Sequence, residues 1–213
     1  MKKIEFDHPH QRRHFEFFSQ MELPHFGVTA PVDFSDAYNY IKTNKLHFTS
    51  VVVYLICRAA NGVPQMRRRI RDGQIVQHES VHPSFTVTAE DTGVFTFCYV
   101  DYREDFESFS HSLRESIDFV KRNPTVSDEP GRDDYLFLSA LPWVHFTGIS
   151  HAMPIANVDS VPRITWGKLG GSGGLQLPLS VQAHHAVVDG SHVGRFYQLF
   201  EEYCADPERY LAQ

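Results

Sequence analysis

The sharpest chemical feature of the sequence is His184-His185-Ala186-Val187-Val188-Asp189-Gly190. It follows an apolar run at 177–181 and precedes a helical pattern, so it falls where a strand end feeds a helix and side chains meet a cleft. A neutral imidazole there, with an unperturbed pKa near ~6.5, can take a proton near neutral pH. The carboxylate four residues on sits at the turn, and Gly190 permits a tight bend. The competing reading is a buried, hydrogen-bonded histidine beside a helix-capping aspartate, and for a lone HxxxD that reading wins. The doubled histidine, the glycine and the strand-to-helix setting favour a general base.

Other chemical patterns weaken on inspection. His78-Glu79-Ser80-Val81-His82 matches the zinc-protease pattern HExxH, whose chemistry needs a helix to bring both histidines to one face. Here it contains β-branched Val81 and runs into Pro83, which biases His82 away from helix. No third ligand stands nearby, and no metal is expected. Arg67, Arg68, Arg69 and Arg71 read as a solvated edge strand. Gly170-Gly171-Ser172-Gly173-Gly174 lacks the Gly-Lys-Ser/Thr ending of a phosphate loop and reads as a plain turn. Phe15-Glu16-Phe17-Phe18 reads as core.

The elements that must position the histidine pair follow from periodicity and punctuation. Residues 35–43 form a short helix with Ser35 as its cap. Residues 48–61 form a buried helix closed by Gly62 and Pro64. Residues 66–78 read as a hairpin around Asp72-Gly73. Strands are expected at 84–88, 94–100, 135–140 and 143–146. Residues 104–122 carry apolar side chains at amphipathic-helix spacing. Residues 163–169 and 175–184 form a strand pair across the glycine turn, and 191–203 is helical. Strands and helices do not alternate regularly, which points to a mixed-sheet α/β sandwich rather than a doubly wound parallel sheet.

The bulk properties agree with one domain spanning 1–213. Hydrophobic residues make up 42% and charged residues 22%, ordinary values for a globular chain with a sizeable core. The formal net charge of -6 gives no electrostatic support for nucleic-acid binding. The apolar run at 51–57 is far too short to span a membrane, and charge interrupts any secretory core at the N-terminus. Cys57, Cys98 and Cys204 lie far apart, form no metal-type spacing, and fit a reducing cytoplasm.

Along nearly its whole length the chain resembles the chloramphenicol acetyltransferases. The matching stretches are His14-Phe15-Glu16-Phe17, residues 51–56, residues 83–87, Ser139-Ala140-Leu141-Pro142-Trp143-Val144, Thr165-Trp166-Gly167-Lys168, and 177–193 with the histidine pair. The short HHxxxDG motif alone also occurs in dihydrolipoyl acyltransferases, peptide-synthetase condensation domains and plant acyltransferases; the ordered set is far more specific. The resemblance implies a two-layer mixed-sheet fold and a homotrimer with active sites at subunit interfaces. It also implies acetyl-CoA as co-substrate, and antibiotic inactivation by acetylation of a chloramphenicol hydroxyl. It makes His185 the base and Asp189 structural, paired with Arg12 or Arg13. Thr165 would hold an active-site water, Lys168 and Trp166 would meet coenzyme A, and Phe17, Phe18, Phe95, Phe97 and Phe146 would surround the acceptor.

Departures from the family cluster around the same site. The serine expected to stabilise the oxyanion is Gly148, in Trp143-Val144-His145-Phe146-Thr147-Gly148. A pocket tyrosine is Phe18, a small pocket residue is Phe97, an apolar residue before Thr165 is Arg163, and a lysine near Phe48 is His47. Arg163 shares a strand face with Thr165 and needs an acidic partner or an anionic ligand. The alternatives are acetylation of a different acceptor, or a catalytically silent trimer that binds ligand.

Overall fold

The computed structural model describes residues 1–90, 92–126, 131–154, 159–171 and 174–212. In chain order the elements are β1 (Lys2–Lys3), α1 (Pro9–Ser19), β2 (His25–Asp33), α2 (Ser35–Thr43) and α3 (Phe48–Asn61). A 3-10 turn, Pro64–Arg67, leads to β3 (Arg68–Arg71), β4 (Gln74–Gln77), β5 (His82–Thr88) and β6 (Phe95–Tyr99). Then come α4 (Phe106–Arg122), β7 (Tyr135–Leu141), β8 (Arg163–Gly167), β9 (Gln176–His184), α5 (Gly190–Ala205) and α6 (Pro207–Leu211).

Six strands form a mixed sheet in the order β2-β9-β8-β7-β5-β6; β7 runs parallel to β5 and β8, and the other pairs are antiparallel. A small antiparallel sheet, β1-β4-β3, stands apart. Its hairpin turns at Asp72 and Gly73, both with positive φ (49° and 69°), as a two-residue type I′ turn requires. The mixed α/β layer architecture expected from the irregular element order is present.

Alternation divides the large sheet into two faces. Leu177, Leu179, Val181 and Ala183 of β9, Ile164 and Trp166 of β8, Leu136 and Leu138 of β7, and Phe85 of β5 are buried in the core cluster with the helices. Helix α3 is buried along its length, from Ser50 to Cys57, because it is covered on several sides. The opposite face is polar. Thr29, Ser180, Thr165 and Ser139 stand in register across four strands, and Thr29 Oγ1 bonds Ser180 Oγ at 3.0 Å. One row over, Gly27, Gln182, Arg163, Phe137, Ser84 and Tyr99 align in the same way.

Several expectations change. The nine-residue β2 and the eleven-residue α1 were not anticipated. The segment 143–146 is not a strand: Val144 N–H closes a turn on Leu141, and Trp143 is exposed. Phe34, not Ser35, precedes α2; Asp33 Oδ1 accepts the Ser35 N–H at 2.9 Å. The arginine run is not simply a solvated edge. Arg69 is fully buried and donates to the carbonyls of Met66, Arg68, Asp133 and Tyr135, and desolvation lowers its pKa to about 10. Of the Phe15–Phe18 cluster only Phe15 is core; Phe17 is exposed and Phe18 half-buried. In the HExxH stretch His78 bonds Asp133 at 2.8 Å, Glu79 is exposed, and His82 opens β5, so no helix brings the two histidines to one face. Ser172 and Gly173 of the glycine turn lie outside the described residues. The three cysteines are buried and unbridged.

Candidate active site

β9 ends at His184, and the chain turns through Ala186-Val187-Val188 into α5. Val187 and Val188 N–H both close on the His184 carbonyl, and His185 N–H donates to Pro24 at the start of β2, at 2.9 Å. His184 is buried, and its Nδ1 accepts the Ala186 N–H at 3.2 Å. Desolvation, with the neighbouring His25, pushes its pKa down to about 4, so this ring is neutral and builds the turn. Asp189 is the cap of α5: Oδ1 accepts from Ser191 N–H (2.8 Å) and His192 N–H (3.2 Å), and His192 Nδ1 accepts the Asp189 N–H. Burial opposes its ionisation, but the hydrogen bonds from Ser191 and from the His192 backbone N–H outweigh this and lower its pKa. The turn that carries His185 is therefore fixed at both ends.

The His185 ring is held by aromatic contacts. Phe18 stacks on it at 4.0 Å and 19°, Phe26 packs at 4.5 Å, and His14 meets it edge-on at 5.9 Å. His14 and Phe18, four apart on α1, share the helix face that covers the ring. Among the described residues its buried Nδ1 has no hydrogen-bond partner, which leaves Nε2 as the nitrogen able to meet a ligand. Arg12 and Arg13, expected to pair with Asp189, are exposed on α1 and form no ion pair with it among the described residues of the protomer, and Arg12 lies over the Phe6 ring at 5.5 Å. A capping box occupies Asp189 instead.

The other expected site residues fall into two further groups. Thr165 is fully buried on the polar sheet face, with Oγ1 3.1 Å from His151 Nε2. Phe95, Phe97 and Arg163 line a cavity of about 370 Å³ with Phe137, Ser139 and His151. Arg163 holds Asp159 through two bonds, 3.0 and 2.7 Å, and lies over Phe137 at 5.2 Å, so its partner is a protein carboxylate. Trp166 and Lys168 line a separate cavity of about 530 Å³ with Tyr38, Lys42, Lys45 and Phe48. Phe146 packs under Gly167, where a Cβ would come within 2.9 Å of its ring. Gly148 has open space at its Cβ position. Phe17 is exposed on α1 beside Phe18.

His185 itself borders a third cavity, of about 380 Å³, with Phe6, His14, Asp189 and His192. The three cavities have no residue in common. His151, Asp159, Lys42 and Lys45 join these cavities or their walls without a sequence motif to mark them. The two lysines, three apart at the end of α2, read in sequence as an ordinary basic helix terminus; only the fold brings them to the Trp166 cavity.

Comparison with known proteins bears on this arrangement. A family profile described as chloramphenicol acetyltransferase matches residues 1–201. A chloramphenicol acetyltransferase of Escherichia coli is 33% identical over 198 residues, covering 92% of this chain and 90% of its own. One of Bacillus pumilus is 26% identical, covering 91% and 90%. A solved chloramphenicol acetyltransferase superposes with a TM-score of 0.83 at 25% identity, covering 95% of this chain and 99% of that one. The Azotobacter vinelandii dihydrolipoamide acetyltransferase shares the fold at a TM-score of 0.69 and 16% identity, covering 99% and 93%.

Proposed function

The chain belongs to the chloramphenicol acetyltransferase family, and from that premise we propose that it is an acyltransferase moving acetyl from acetyl-CoA to a chloramphenicol hydroxyl, with His185 as general base. The observation that carries the base assignment is the His185 ring itself. It is clamped between Phe18 and Phe26 on a turn fixed at both ends, with Nδ1 buried and Nε2 left for substrate. Residues 1–213 act as a single acetyltransferase domain. The acceptor O–H gives its proton to His185 Nε2 as its oxygen bonds to the thioester carbon. The tetrahedral intermediate collapses, the C–S bond breaks, and the imidazolium returns the proton to the coenzyme A sulfur. General-base action contributes on the order of 10²–10⁴-fold, and alignment of the two substrates supplies much of the remainder.

Lys168 and Trp166, with Lys42 and Lys45, fit the coenzyme side: a cavity with three cationic groups and aromatic walls suits a phosphorylated cofactor. Phe95, Phe97 and Phe137 fit the aromatic acceptor. Within the protomer the cavity at His185 and the acceptor cavity have no lining residue in common, and a homotrimer joining His185 of one protomer to the acceptor cavity of the next would bring them together. No helix among the described residues is long and apolar enough to cross a membrane, which agrees with a cytoplasmic enzyme.

The test is release of coenzyme A thiol by purified protein with and without chloramphenicol, together with sedimentation. Acceptor-dependent thiol release from a trimer supports the reading. No release with chloramphenicol present, or a fully active monomer, refutes the acceptor or the interface respectively.

A further inference from the structure

A second imidazole stands in the acceptor cavity. His151 lies in the segment between β7 and β8. Its backbone N–H donates to Gln182 Oε1 at 3.2 Å, and its Nε2 meets Thr165 Oγ1 at 3.1 Å. Gln182 and Thr165 both belong to the polar face of the sheet, so one bond holds the His151 backbone and the other its ring over that face. Thr165 is fully buried, and among the described residues its hydroxyl has no partner but His151. A hydroxyl whose rotor has one partner takes its direction from that partner.

The location is also specific. His151 borders the cavity of Phe95, Phe97 and Phe137, and it borders a second cavity formed by Pro24, His25, Phe26 and Ile149. Phe26 packs on the His185 ring. His151 therefore lines both the aromatic acceptor cavity and a second cavity that Phe26 borders. Gly148, three residues earlier, offers no side-chain donor. Burial and the nearby positive charge of Arg163 hold the His151 pKa below its ordinary value, so near neutral pH the ring is neutral, with one N–H.

We propose that His151 is a positioning residue for acyl transfer: its Nε2–H donates to Thr165 Oγ1 and turns the Thr165 O–H toward the acceptor cavity as a donor. This rests on the acetyl-transfer reading above and requires no proton to leave His151. The neutral ring sets the direction of a hydroxyl hydrogen, and that hydrogen supports, through a water, oxygen charge that grows in the transition state. The effect belongs in kcat more than in substrate binding.

The experiment compares His151→Leu, His151→Gln and the double variant His151→Leu/Gly148→Ser. Each is measured for kcat, for KM of acetyl-CoA and chloramphenicol, and for melting temperature, with His185→Ala run alongside. The leucine fills the ring's volume without a donor, and it lowers kcat by about tenfold or more while KM for acetyl-CoA stays put. The glutamine, which keeps an N–H within reach of Thr165, recovers most of the rate. Gly148→Ser supplies a donor from the neighbouring position and recovers part of the rate in the leucine background. A leucine variant with wild-type kcat, or leucine and glutamine variants whose losses are equal and follow melting temperature, overturns the inference. Activity lost in His185→Ala but kept in His151→Leu leaves the base standing and removes His151; the reverse result removes the base and keeps His151.

Discussion

Replacing Arg163 by valine separates the view of this pocket from sequence alone from the view given by the structure. From sequence, an arginine on the strand face of Thr165 needs either an acidic partner or an anionic ligand. The structure pairs it with Asp159 through two bonds of 2.7 and 3.0 Å, with side-chain exposures of 11% for Arg163 and 34% for Asp159. Burial raises the Asp159 pKa, and the Arg163 hydrogen bonds and charge more than reverse that, holding it below 3.8. Breaking a fully buried pair by removing one partner costs roughly 3–5 kcal/mol; with a third of Asp159 in solvent the discounted cost is about 2 kcal/mol. At roughly 2–4 °C per kcal/mol for a chain of this size, Arg163→Val melts about 4–8 °C below wild type at pH 7. A carboxylate held below its unfolded pKa stabilises the fold above that pKa and loses the contribution as pH falls through the folded value. The gap in melting temperature is therefore full at neutral pH and narrows below about pH 4. Removing both charges, Arg163→Val with Asp159→Asn, restores most of the loss, because no bare charge remains. Chloramphenicol turnover falls in the single variant and recovers in the double. Calorimetry across pH is the assay; a single variant that melts with wild type at pH 7 refutes the account of the pair.

Three further expectations follow from the same geometry. Asp189→Ala removes the cap of α5 and loosens the turn holding His185; it costs about 1 kcal/mol and lowers kcat as well, and unchanged values in both refute the account of the turn. Gly148→Ser raises kcat in acetylation assays with little change in KM, since its side chain meets open space and a donor near the developing charge acts in the transition state. Arg69→Met leaves the carbonyls of Asp133 and Tyr135 without their buried donor; chemical denaturation should show a loss of at least ~2 kcal/mol.

Much of the arrangement was legible where local chemistry and tertiary structure agree. The buried α3, the Asp72-Gly73 hairpin and the β9-to-α5 turn each carry their own punctuation, and the ordered motifs that continue into the histidine pair carry the family. β2 was illegible because Gly27 and Pro31 interrupt the strand pattern. The strand tolerates Pro31 at the sheet edge, opposite Pro178, which lies beyond the last paired residues of β8 and β9. The Arg69 clamp was hidden because its carbonyl partners at 133 and 135 are more than sixty residues away. His151 and Asp159 escaped notice for a related reason: they sit in an irregular segment, where no periodicity marks a facing side, and only the register of β7, β8 and β9 brings Thr165 and Arg163 to them.

The central claim, that His185 takes the acceptor proton, is tested most directly by acetylation kinetics of His185→Ala at saturating acetyl-CoA and chloramphenicol, with coenzyme A binding measured in parallel. The account predicts a fall in kcat of about 10²-fold or more, with coenzyme A binding and melting temperature close to wild type. A His185→Ala protein that binds coenzyme A and still acetylates chloramphenicol at most of the wild-type rate would contradict it.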